Sequence, residues 1–258
     1  MNIVKKSVEI GGRTLSLEVG RYAEQAGAAV VAQYGETVVL ATVTASSKET
    51  TLDYFPLSVE YVERLYAGGR IKGSRWVKRE GRPTDEAVLA GRVIDRSIRP
   101  LFPKTFKHDV QVTITTLSVD GENDPDILGL VGVSVAIAIS SVPWAGPVAA
   151  VRVGYAKGND GEKGSYLINP RAVEQEQSDF DFVVSGTKEK ILMLEGGFCE
   201  TDDEIVYGAV LEAKKEYAKI IDLIEEFVSE VGKEKLPATD GKDYTELMDL
   251  MKKDFKSE

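Results

Sequence analysis

The amino-acid sequence predicts an α/β or α+β domain of two or three layers, and three observations carry that expectation. Eight or more short segments alternate in hydropathy or are rich in β-branched residues. Two helical stretches, one from Thr84 and one from Ile127, are interleaved with them. From Thr201 the texture turns helical and acidic. A chain of 258 residues with 43% hydrophobic residues can build one large domain, or one domain with an appendage.

The first strands are the plainest. Val4, Val8 and Ile10, then Gly11-Gly12, then Leu15, Leu17 and Val19 alternate on both sides of a two-glycine turn, as a β-hairpin requires. Residues 29–33 and 37–44 flank Tyr34-Gly35-Glu36 and extend the hairpin into an antiparallel meander. Residues 57–62 form one more strand. From Arg64 to Pro83 neither a period of 2 nor one of 3.6 appears, glycines recur, and a loop is expected. A helix then begins at Thr84, which can cap it, with Asp85 and Glu86 at the positive end of its dipole and Pro100 and Pro103 to stop it. At about 100° per residue, Ala87, Ala90, Ile94, Ile98 and Leu101 fall within roughly 40° of one line, with Arg92, Arg96 and Arg99 opposite. A strand over 109–119 leads through the acidic turn Asp120 to Asp126 into a helix over 127–142. That helix is apolar on nearly every side and belongs between layers. Strands are expected over 148–155, 165–168, 179–185 and 188–195. A long amphipathic helix follows from Asp202 or Asp203 to about Val231, and a short one over 244–255.

Composition excludes several classes. One cysteine, Cys199, rules out an intrachain disulfide framework, and a single His108 leaves no zinc constellation. The N-terminal residues lack the apolar run of a signal peptide, and the apolar helix over 127–142 is too short to span a bilayer. These features fit a soluble, cytoplasmic protein without a membrane partner.

Charge is unevenly spread. The chain carries a net −10, yet residues 64–107 hold twelve Lys or Arg against four acids. Such a field attracts polyanions to one surface of an acidic protein. Within it, Arg75-Trp76-Val77-Lys78-Arg79-Glu80-Gly81-Arg82 mixes cations with an aromatic, which suits single-stranded nucleic acid through phosphate pairing and base stacking, or equally a solvated loop with Trp76 tucked in. Arg92, Arg96 and Arg99 could bind phosphates from one helix face; alternatively Arg92 pairs with Asp95, and Arg96 and Arg99 complement the helix C-terminus. Gly68-x4-Gly73 is no P-loop, because Ser74-Arg75 stands where Lys-Ser/Thr is required. The acidic turn reads as a helix cap rather than a magnesium site. Asp179 and Asp181 point to one side of a strand, as a carboxylate pair or as exposed alternation.

The run Lys78-Arg79-Glu80-Gly81-Arg82-Pro83, followed by Arg92-Val93-Ile94-Asp95-Arg96-Ser97-Ile98-Arg99-Pro100-Leu101-Phe102-Pro103, closely resembles the polynucleotide phosphorylase family of bacterial phosphorolytic exoribonucleases. Leu117-Ser118-Val119-Asp120, Asn123-Asp124-Pro125-Asp126 and Arg152-Val153-Gly154-Tyr155 look like later landmarks of the same N-terminal domain. The resemblance covers most of residues 1–200. It implies an α+β, RNase PH-like fold of mixed sheets with helices, ribosomal protein S5 domain 2-like, over residues 1–200. It also implies that residues 201–258 start the family's all-helical connecting domain.

In function, the resemblance implies a polyribonucleotide nucleotidyltransferase that shortens RNA from the 3′ end. Inorganic phosphate is the co-substrate, nucleoside diphosphates are released, and magnesium sits in a second RNase PH-like domain that does not follow in this chain. Three chains form a ring that serves mRNA turnover, with possible RNA-degradation partners. Positions matching Lys78 and Arg79 line the channel constriction. Those matching Arg92, Arg96 and Arg99 reach toward the RNA 3′ end, and Arg82, Arg75 and Trp76 help guide the strand. Trp76-Val77 replaces the family's usual aromatics before the basic pair, which reduces the expected stacking. Pro125-Asp126 stands where the catalytic domain has a phosphate-binding serine-rich segment. Asp181 matches one catalytic aspartate, while Gln175 and Val183 occupy the other two positions. No catalytic residue and no metal ligand is therefore expected in this chain, and the fragment alone should be inactive. The alternatives are a stand-alone RNA-binding or scaffold protein of the same fold, and an active single-domain RNase PH-type exoribonuclease.

Overall fold

The computed structural model describes residues 3–71, 73, 81–158, 164–238 and 245–255. β1 (Val4–Ile10) and β2 (Arg13–Val19) pair antiparallel, with Ile10 opposite Arg13. Gly11 and Gly12 both take positive φ, 54° and 74°, which is why two glycines stand in this turn. Gly11 has a second reason, since a Cβ there would lie 2.4 Å from the carbonyl oxygen of Ile168.

β3 (Ala28–Tyr34) and β4 (Thr37–Glu49) complete the expected antiparallel meander. β5 (Leu57–Val62) pairs with β6 (His108–Ser118) in parallel, so the sheet runs β1-β2-β3-β4-β6-β5. Two parallel strands need a crossover, and α1 (Asp85–Ile98) supplies it. β7 (Ala149–Ala156), β8 (Ser165–Ile168), β9 (Phe180–Gly186) and β10 (Ile191–Phe198) form a second, antiparallel sheet in the order β10-β9-β7-β8.

The helices lie between the two sheets. α2 (Pro125–Ile139) touches β3 and β4 on one side and β7 on the other, and every residue from Ile127 to Ile139 is buried. Its lack of a polar face is thus the mark of a helix enclosed on all sides. Small residues bring it close to the first sheet: a Cβ on Gly132 would sit 3.2 Å from that of Ala41. α1 packs on β5 and reaches the second sheet through Ser97, whose Oγ lies 2.8 Å from that of Ser185. α4 (Asp203–Val231) touches α2, β1 and β7, with Tyr217, Ile220, Ile224 and Phe227 fully buried in the same core. The result is an α+β architecture of three layers, sheet, helices, sheet. α3 (Ala172–Glu176) is a single short turn with no periodic signal in the sequence, and α5 (Thr245–Phe255) closes the described chain.

Candidate nucleic-acid interface

α1 is positioned by local chemistry that the sequence displays. Thr84 Oγ1 accepts from the backbone N–H of Ala87 at 3.0 Å and donates to Glu63 at 2.7 Å, fixing the start of the helix against the end of β5. Ala87, Ala90, Ile94 and Ile98 are buried, so the predicted apolar stripe is the packed face. The helix passes into a 3-10 turn at Arg99–Leu101, where Pro100 has no N–H to continue it, and Trp144 Nε1 caps Ile98 O at 3.1 Å.

The three arginines opposite that stripe are all exposed, but they meet different neighbours. Arg92 lines a groove of about 350 Å³ between α1 and β5, with Tyr61, Asp95 and Arg99, and has no acidic partner among the described residues. Arg96 Nη1 pairs with Glu195 of β10 at 3.1 Å. Arg99 is held at two points by Asp95, Nε to Oδ2 at 2.8 Å and Nη2 to Oδ1 at 2.6 Å, and donates to Leu57 O at 3.1 Å. Asp95 therefore pairs with Arg99 four residues on and not with Arg92, because Arg99 can reach both the carboxylate and the start of β5. Arg82 is exposed at the mouth of a neighbouring groove of about 470 Å³, with Glu63, Arg64 and Arg70. Arg75, Trp76, Lys78 and Arg79 lie outside the described residues.

A second arginine cluster has the opposite character. Arg152 of β7 is largely buried and faces three carboxylates: Asp124 at 2.5 Å and Asp126 at 3.4 Å from the start of α2, and Asp181 of β9 at 2.5 Å. Burial alone would lower the pKa of its guanidinium, and the three acids more than reverse that. Burial, reinforced by the adjacent Asp124, pushes the Asp126 carboxyl well above the ordinary range. Tyr61 is raised by burial and by the same two acids.

The acidic turn is also structural in its own right. Asp120 accepts from the N–H groups of Glu122 and Asn123, both at 2.8 Å, and from Thr37 Oγ1 at 3.0 Å. Hydrogen bonds outweigh the effect of burial and hold the Asp120 carboxyl below its ordinary range. Asp124 is the first residue of α2's cap but makes no side-chain capping bond, since its carboxylate turns to Arg152. Asp179 and Asp181 do not form a pair: Asp179 meets Lys157 at 3.1 Å and Asp181 meets Arg152. Gln175 donates to Phe180 O at 3.4 Å, and Val183 is a buried core residue. The described residues do not fit a magnesium ion, because the three acids that converge here are already met by a guanidinium, and no other grouping of His, Cys, Asp and Glu among them could hold a metal.

Two family patterns match the chain: the 3′ exoribonuclease family, domain 1, over residues 11–143, and domain 2 of the same family over residues 146–216. The chain belongs to the 3′ exoribonuclease family. Among its relatives, the polyribonucleotide nucleotidyltransferase of Caldicellulosiruptor saccharolyticus is 49% identical over 230 residues, which is 89% of this chain and 32% of that protein. The protein of the same name from Clostridioides difficile is 45% identical over 231 residues, with the same shares, and that from Chloroflexus aurantiacus is 48% identical over 240 residues, 92% of this chain and 31% of that protein. This member of the exoribonuclease family thus spans about a third of the length of those relatives. Among the described residues no helix is long and apolar enough to cross a membrane.

Two kinds of residue escaped the sequence reading. Asp95 as the partner of Arg99 was visible in principle, as an acid four residues before a base on one helix. Arg152 as the hub of three acids was not, because Asp126 and Asp181 lie 26 and 29 residues away from it.

Proposed function

We propose that this chain is the first RNase PH-like part of a 3′-to-5′ phosphorolytic exoribonuclease, and that it binds and guides single-stranded RNA without itself cleaving it. In the parent enzyme, inorganic phosphate attacks the terminal phosphodiester and a nucleoside diphosphate leaves. Magnesium, the second RNase PH-like domain, the ring of three chains, partners in RNA degradation and a cytoplasmic location belong to the same proposal. In this proposal residues 1–200 are the RNase PH-like part and residues 201–258 start the all-helical connecting domain, whose α4 packs on the same core.

The observation that carries this reading is the contrast between two sets of arginines. Arg152 is spent on Asp124, Asp126 and Asp181, so the place that resembles a catalytic centre holds more carboxylate than its one guanidinium can offset and, among the described residues, offers phosphate no free cation. Arg92 and Arg99 line one surface groove and Arg82 another, and Arg96 is exposed on the same helix face, where a phosphodiester can reach them. In the same proposal Lys78, Arg79, Arg75 and Trp76, which lie outside the described residues, take part in guiding the strand.

The test is to incubate the chain with single-stranded RNA and inorganic phosphate. RNA binding without release of nucleoside diphosphates is expected, and robust release overturns the claim of a non-cleaving domain. Replacing Lys78 and Arg79 together by Ala should weaken binding and flatten its salt dependence; unchanged affinity at low salt removes the loop from the proposal.

A further inference from the structure

We propose that Asp95 is a positioning residue that decides which guanidinium of the α1 groove takes a phosphate, by engaging Arg99 and leaving Arg92 open. This rests on the RNA-binding reading given above and adds to it an order among the arginines.

The geometry is unequal at three positions on one helix face. Asp95 occupies Nε and Nη2 of Arg99 through both of its oxygens, and Leu57 O takes Nη2 as well, so Nη1 is the one nitrogen left to a ligand. Arg96 is engaged once, through Nη1, by Glu195. Arg92 sits two turns before Arg99 in the same groove, and none of its donors is engaged among the described residues.

A phosphate that approaches Arg99 also meets the Asp95 carboxylate, which is itself only partly exposed, with 24% of its side-chain surface accessible. It must dock on Nη1 alone or displace Asp95. Either way Arg99 contributes less than one full charge to the binding of a polyanion, while Arg92 contributes its whole charge. Arg99 also donates to Leu57 O at the start of β5.

The experiment is a double-mutant cycle read by fluorescence anisotropy with a labelled single-stranded oligoribonucleotide over a series of salt concentrations. Asp95→Asn keeps the side-chain shape and removes the charge. It is expected to tighten binding about two- to fivefold at low salt, the range an exposed pair controls, and to steepen the salt dependence. Asp95→Glu retains the charge and should keep the wild-type slope. Arg99→Ala is expected to cost little in the wild type and more in the Asp95→Asn background.

If Asp95 served only to brace the helix, Asp95→Asn would weaken binding at an unchanged slope, with a lowered melting temperature; that result overturns the inference. So does an equal cost of Arg99→Ala in both backgrounds. Arg92→Ala separates this inference from the reading beneath it. If Arg92→Ala weakens binding while the Asp95 cycle is flat, the inference alone fails; if wild type and Arg92→Ala bind alike, or neither binds, the groove reading fails and the inference with it.

Discussion

Arg92 and Arg152 carry the same side chain and differ in what faces them. Arg152 meets three carboxylates in a largely buried setting. Replacing it by Met keeps the length and leaves those carboxylates without a cation, which should lower stability at neutral pH by about 2–4 kcal/mol, measured by urea unfolding. The loss should shrink as the solution is acidified, because Asp126 is already displaced toward its protonated form. Asp120 titrates in the opposite sense. Its folded pKa lies below the ordinary 3.8, so its contribution is complete above that value and is lost as pH falls through the folded one. Asp120→Asn should therefore be less stable than the wild type at pH 7, and the difference should close below about pH 4 in an acid-unfolding series.

At the scale of elements, the end of α2 shows how a long-range contact completes a helix. Lys235 Nζ donates to the carbonyls of Ile137, Ala138 and Ser140 at 3.0, 2.8 and 2.7 Å, placing a cation at the negative end of the helix. Burial pulls its ammonium down to about 8, still protonated at neutral pH. Lys235→Met should cost about 1–2 kcal/mol. It should also speed amide exchange at Lys233 and Leu236, whose N–H groups bond to Ile139 and Ser141. An unchanged exchange pattern would contradict this role.

Elements of this kind divide what the sequence displays from what it hides. The hairpin at Gly11-Gly12, the Thr84 cap, the buried stripe of α1 and the all-apolar α2 were legible, because each follows from turn chemistry or periodicity within a few residues. The parallel pairing of β5 with β6 was not, since 45 residues separate the end of one strand from the start of the other and strand propensity has no direction. α3 was hidden by its length of five residues. At the site, exposure of Arg92, Arg96 and Arg99 was legible from the helical period. Their unequal pairing was not, because Glu195 and Leu57 come from strands remote in sequence.

For the molecule as a whole, an acidic chain gathers exposed arginines beside two grooves at the rim of its helical layer. Two sheets enclose α1, α2 and α4, and the crossover between β5 and β6 brings the arginines of α1 to the open edge of the first sheet. A net charge of −10 repels RNA elsewhere, so binding should concentrate on this face and fall steeply with salt. The measurement that tests this most directly is the salt dependence of single-stranded RNA affinity for the wild type and for Arg92→Ala. Arg92→Ala should bind more weakly at low salt, with a log–log slope shallower by about 0.7, the share of one phosphate contact on a single strand. Equal affinity and equal slope for the two proteins would contradict the account.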